Sequence, residues 1–169
     1  SKSIYLSEYL NSKNILFSDL IFKDLNYYLS LMVVDSLLQD IKYADLINIK
    51  IQELKGRFEI VNDSPVKIID GAHNYEGVEI LLRNYENIYG HLNTDLFLGF
   101  KKGKDIKNIL NLITRKTNYN LYLIEDDTFF DQEITKEVGY LLNKHGKHYK
   151  IVSLEQFKKN KNPSILLGS

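Results

Sequence analysis

Five consecutive residues, Asp70-Gly71-Ala72-His73-Asn74, put a carboxylate, a flexible backbone position, an imidazole and a capping amide into one turn. They follow the apolar run Val66–Ile69 and precede an amphipathic stretch near Tyr75–Tyr89. Gly71 allows the chain to turn tightly. Asn74 can cap the next helix, and Glu76 suits its first turn. His73 then stands just outside a helix N-terminus, where backbone N–H groups favour an anion. A carboxylate and an imidazole in that place could hold a ribose and a phosphate. The other reading is that Asp70 and Asn74 only organise the turn.

Other groups are less specific. The segment Gly99–Asp105 carries Lys101, Lys102 and Lys104, any of which could meet a carboxylate or phosphate, or form a solvated basic turn. Asp105 is expected to cap the helix that follows. The segment is not a P-loop, because the G-x-x-x-x-G-K-[ST] spacing occurs nowhere in the chain. Arg57 follows Gly56 in Gly56-Arg57-Phe58-Glu59; a guanidinium can bind phosphate bidentately or stack on a base, but a surface arginine needs neither role. Asp126 and Asp127 could hold a metal, though an acidic start to a helix explains them more simply. His145 and His148 flank Gly146, which argues against helical metal spacing, and His91 follows Gly90 in a turn, so all three are expected at the surface. No Ser/His/Asp arrangement stands out, and the tyrosines are expected to serve packing.

The elements that must position these groups fall into two zones. All nine glycines and both prolines lie from Gly56 onward. Before that point the chain reads as helical, with Phe22, Leu25, Leu29, Met32, Val33, Leu37 and Ile41 on one helical stripe. A second short helical pattern covers Ala44 to Leu54, and the segment before Asp19 is ambiguous. From Gly56 on, strand-length apolar runs alternate with amphipathic stretches. Val66–Ile69, Asp95–Phe100, Leu121–Ile124 and Lys150–Val152 each precede a helix, near Tyr75–Tyr89, Ile106–Lys116, Gln132–Lys144 and Leu154–Lys159 respectively. Ser164–Leu167 closes the series, and Arg57–Val61 could add an edge strand. This alternation predicts an α/β fold, a Rossmann-like, mostly parallel sheet with helices on both faces. Ligands of such sheets bind beyond the carboxyl ends of the strands. If the strands are parallel, Asp70–Asn74, Gly99–Asp105, Asp126-Asp127 and Gly168-Ser169 share one rim.

Composition sets outer limits. The chain has 169 residues, 44% of them apolar, enough for a real core. Lys+Arg and Asp+Glu balance at 22 each, which argues against a nucleic-acid or membrane-surface partner. With no cysteine, a disulfide framework and a thiolate zinc site are excluded, and a cytoplasmic location fits. No apolar run is long enough to span a membrane and no signal peptide opens the sequence. The first residue is Ser, consistent with a piece of something longer.

Gly56-Arg57-Phe58-Glu59 followed by Asp70-Gly71-Ala72-His73-Asn74 resembles the Mur ligase superfamily, C-terminal domain, and the wording Asp-Gly-Ala-His-Asn is closest to its folylpolyglutamate and dihydrofolate synthase branch. Leu25-Asn26, Gly99 with Lys104-Asp105, and Leu166-Leu167-Gly168-Ser169 resemble further family segments in the same order. The resemblance covers nearly the whole chain. It departs at Lys55 and Tyr75, where relatives usually have Pro, and at Lys23, where Gln is common.

The resemblance implies an ATP-dependent ligase that adds glutamate to a folate through an acyl phosphate, with magnesium neutralising the phosphates. It implies that residues 1–55 are the helical remnant of a central ATPase domain and residues 56–169 the Rossmann-like C-terminal domain. It implies that Asn26, Arg57 and Asp70 contact ATP, that His73 sits beside them as the catalytic candidate, and that Lys104 and Ser169 lie on the glutamate side. No metal ligand is expected in this chain. The P-loop, the folate-binding segment and the magnesium ligands would belong to the rest of the ligase, on the same or a separate chain, so this chain alone is expected to be inactive. The rival readings are a non-catalytic nucleotide- or protein-binding module, and another Mur ligase, one of peptidoglycan synthesis.

Overall fold

The computed structural model describes residues 6–15, 22–37, 54–126 and 128–168. Asp127, Ser169, Ile41 and most of the Ala44–Leu54 pattern lie outside the described residues. The chain divides into two compact units, Ser1–Glu53 and Leu54–Ser169.

In the first unit, helix α1 spans Leu6–Ser12 and α2 spans Phe22–Leu37. Helix α2 contains the expected periodic stretch, but its apolar stripe coincides only in part with its buried side. Leu29, Val33 and Leu37 are exposed, whereas Leu31 is buried in a cluster with Tyr9 of α1. Tyr27, Tyr28, Met32 and Val34 pack against the same cluster. The apolar residues of α2 are spread around much of its circumference, so spacing alone did not single out the buried side.

The second unit is a six-stranded sheet ordered β1-β2-β6-β3-β4-β5. The strands are β1 (Glu59–Asp63), β2 (Val66–Asp70), β3 (Thr94–Leu98), β4 (Tyr119–Ile124), β5 (Tyr149–Val152) and β6 (Ser164–Leu167). Four helices connect them: α3 (Tyr75–Tyr89), α4 (Ile106–Thr114), α5 (Gln132–Lys144) and α6 (Leu154–Lys159). Only β1 runs antiparallel, as an edge hairpin with β2 that turns at the cis Ser64–Pro65 bond. The pairs β2–β6, β6–β3, β3–β4 and β4–β5 are all parallel.

Strand alternation sends successive side chains to opposite faces, and both faces are covered. Ile68, Leu96, Leu98, Leu121, Leu123, Ile165 and Leu167 meet the apolar stripes of α3, α4 and α5. Phe97, Ile124 and Val152 meet Phe157 of α6 on the other face. Strand β3, in the middle, is buried along its whole length. The connections through α3, α4 and α5 run one way along the sheet, and α6 carries the chain back, so that β6 enters between β2 and β3. This reversal decides which strand ends become neighbours.

Two expectations about caps need correction. Asp105 occupies the N-cap position of α4 but accepts no backbone N–H there. Both its oxygens take the Asn108 side-chain amide instead, at 3.0 and 3.1 Å. Asp126 does not start a helix. Its Oδ1 accepts from Thr128 N and Phe129 N, closing a turn, and the cap of α5 is Asp131, which accepts from Glu133 N and Ile134 N. Asn74 caps α3 as expected, accepting from Gly77 N at 3.0 Å.

Candidate functional site

Because β2, β6, β3 and β4 are parallel, the segments after Asp70, Leu167, Leu98 and Ile124 share one rim. The insertion of β6 brings three of them together. Gly168 N donates to Asp70 O at 3.1 Å, and Gly99 N donates to Leu167 O at 3.0 Å. A Cβ on Gly168 would lie 1.6 Å from the Gly99 carbonyl oxygen, and its φ of 132° suits only glycine. Glycine at position 168 therefore lets the end of β6 pass this close to the end of β3.

On the β2 side, two turns are knitted into one wall. Gly71 N donates to Gly56 O at 2.8 Å. Asp70 Oδ2 accepts from Phe58 N at 2.8 Å, and Oδ1 accepts from Ala72 N at 2.7 Å. Gly56 N donates to Glu59 Oε2 at 2.7 Å. Phe58 adopts a left-handed φ of 46°, a strained conformation that the Asp70 hydrogen bond and packing of its ring on the main core hold in place. Asp70 thus does organise the turn, but it joins two segments twelve residues apart rather than one. Burial raises its carboxyl pKa above the ordinary range, opposed by the Phe58 and Ala72 N–H groups and by the Arg57 charge.

Arg57 lies on this wall. Its Nη1 is 3.1 Å from where a Cβ on Gly71 would stand, so the guanidinium packs across the bare face of that glycine. The side chain is exposed, and it makes no hydrogen bond or ion pair among the described residues. His73 follows on the same turn, with Nδ1 2.9 Å from Gly71 O. A carbonyl can only accept, so Nδ1 carries the proton in that contact and the neutral ring keeps its lone pair at Nε2. The wall therefore offers a fixed cation, a half-buried carboxyl and an imidazole nitrogen at the start of α3.

The other candidates stand apart. Lys104 is half-buried in the turn before α4, on the same rim but beyond Gly99. Lys101 borders a shallow hollow with Thr128, Phe129, Phe130, Asp131 and Gln132. Asn26 lies on α2, and its side chain falls outside the described residues, as does Ser169. His91, His145 and His148 are exposed, as expected. Sequence reasoning missed the amide of Phe58 as a partner of Asp70; no residue type announces a left-handed phenylalanine. Among the described residues, no group of three or more His, Cys, Asp or Glu is placed to hold a metal ion, and no helix is long and apolar enough to cross a membrane.

A mostly parallel six-stranded sheet with helices on both faces and a reversal of strand order defines a Rossmann-like α/β fold. Its structural likeness is to folylpolyglutamate synthases. The Helicobacter pylori folylpolyglutamate synthetase matches over 100% of this chain and 42% of its own, with a TM-score of 0.61 and 20% identity. The Mycobacterium tuberculosis folylpolyglutamate synthase complexed with ADP and AMPPCP matches over 84% of this chain and 36% of its own, with a TM-score of 0.65 and 15% identity. A bifunctional folylpolyglutamate synthase/dihydrofolate synthase with Mn, AMPPNP and L-glutamate bound matches over 75% and 31%, with a TM-score of 0.56 and 16% identity. The chain thus spans less than half the length of each. No protein-family model matches it, and no curated protein matches it in sequence. The fold is that of the ligases the sequence resembles.

Proposed function

We propose that this chain supplies part of the nucleotide site of an ATP-dependent ligase that adds glutamate to a folate. The observation that carries this reading is the Arg57 guanidinium, held across Gly71 beside Asp70 with no hydrogen bond or ion pair among the described residues. An exposed arginine at a strand-end rim is suited to an anion, and phosphate is the anion its fork fits best. The neighbours complexed with ADP, AMPPCP or AMPPNP share the fold around such a rim.

In this reading Arg57 binds a phosphate oxygen pair. Asp70, with a lone pair left on each oxygen, accepts from a ribose hydroxyl or simply keeps the two turns in place. His73 presents Nε2 as an acceptor beside them. The family resemblance assigns Asn26 to the nucleotide as well, and Lys104 and Ser169 to the glutamate. Magnesium would come with the phosphates; nothing described in this chain is arranged to hold it, so its ligands are assigned to the rest of the ligase, with the P-loop and the folate contacts. The rim positions and orients; the chain by itself is not expected to release phosphate from ATP.

Calorimetric titration of AMPPNP with magnesium into the chain and its Arg57→Ala variant tests this. Loss of a charge-assisted contact should weaken binding about tenfold or more. Equal affinity in a folded variant would remove Arg57 from the site.

A further inference from the structure

Four polar side chains are buried within the sheet, where apolar residues are the rule; Thr94 is paired with Tyr85, and the other three lie together. Lys67 is 8%, Ser164 0% and Asp95 1% exposed. They are not scattered. Lys67 on β2 is the register partner of Ser164 on β6, Ser164 of Asp95 on β3, and Asp95 of Asn120 on β4. Register partners share a face, here the face covered by α6. The result is a polar row across four adjacent strands, near their N-terminal ends and remote from the rim.

The connection from α6 to β6 is fastened to this row at two points. Lys67 Nζ donates to the carbonyl of Lys158, in the last turn of α6, where a cation also suits the helix dipole. Asp95 Oδ2 accepts from Asn160 Nδ2 at 2.9 Å and Asn162 Nδ2 at 3.0 Å, and its Oδ1 accepts from Asn120 Nδ2 at 2.8 Å. Asp95 N donates to Pro163 O at 2.9 Å. The carboxylate therefore gathers three amides, two of which come from the residues that lead into β6.

Alternation alone does not fix where β6 sits. The strand has four residues and two parallel neighbours, and a shift of two residues would send its side chains to the same faces. Such a shift in one direction would carry Gly168 away from Gly99 and bring Leu166 to a place where a Cβ would run into the Gly99 carbonyl. We propose that Asp95, with Asn160, Asn162 and Lys67, is a positioning device for the rim: it fixes the register of β6 at the start of the strand so that Gly168 arrives between Asp70 and Gly99 at its end. The functional part of this inference rests on the reading of that rim as a ligand site. The register part stands apart from it.

Asp95→Asn in the full 169-residue chain is nearly isosteric but sets a fourth amide against three amide donors. Backbone amide exchange read by NMR reports on the far end of the strand. The N–H groups of Gly168 and Gly99 should exchange about tenfold faster than in the wild type, the scale of one hydrogen bond to a charged group. Leu82 in α3 and Leu123 in β4 should change far less. Uniform acceleration at all four amides, or none at any, would overturn the proposal. If Asp95→Asn does not fold, Asn162→Ala removes one clamp donor from an exposed residue and is read in the same way. Should AMPPNP fail to bind the wild-type chain at the rim, the nucleotide reading falls while the exchange pattern still decides the clamp.

Discussion

Arg57 and Asp70 lie side by side yet are expected to behave differently when changed. Arg57 is exposed and makes no hydrogen bond among the described residues, so Arg57→Ala should leave the denaturation midpoint nearly unchanged while weakening nucleotide binding. Asp70→Ala strands the N–H groups of Phe58 and Ala72, and a urea melt should show a loss of about 1–3 kcal/mol. Asp70 also predicts a pH effect. Its carboxyl pKa is raised in the fold, chiefly by burial. Protonation is thus easier folded than unfolded, and the group contributes stability that is present below its unfolded pKa and lost as pH rises through the folded one. Wild type should therefore gain stability relative to Asp70→Asn on acidification from neutral pH; urea midpoints that shift in parallel for both chains would contradict this. At this scale the sequence was informative about which residues cluster, since Asp70, His73 and Asn74 are contiguous and Asn74 caps as its type suggests. It was silent on Phe58, whose role comes from its backbone, and on Asp95, an acidic residue in a strand whose amide partners lie on two other segments.

Single elements were legible where one physical cause dominated. The amphipathic stretches that became α3 and α5 are set by apolar spacing and by caps at Asn74 and Asp131; the second cap, rather than Asp126, starts α5. The buried side of α2 is not legible from spacing because apolar residues surround much of it. The place of β6 could not be read from spacing, because insertion between β2 and β3 depends on the return path of α6 and on contacts distant in sequence. Gly168 makes that placement testable. Gly168→Ala forces a Cβ into the Gly99 carbonyl at a φ of 132°. Overpacking and backbone strain each cost about 1–3 kcal/mol, so thermal unfolding should show a loss of about 2 kcal/mol or more. A variant as stable as the wild type would mean that β6 and β3 do not approach as described.

At the scale of the molecule, the chain spans less than half the length of its structural neighbours, and the proposed function gives it one wall of a nucleotide site. The balanced charge and the parallel sheet were both readable from composition and alternation, and they agree with a small anionic ligand held by one well-placed arginine rather than by a broad basic surface. The central claim is that nucleotide meets this chain at the rim formed by Gly56–Phe58 and Asp70–Asn74. Mapping amide chemical shifts during titration of the full chain with AMPPNP and magnesium tests it most directly. The account predicts that the largest changes fall on Arg57, Gly71 and His73, with Gly168 and Gly99 beside them. Changes confined to other surfaces, or none at saturating nucleotide, would contradict it.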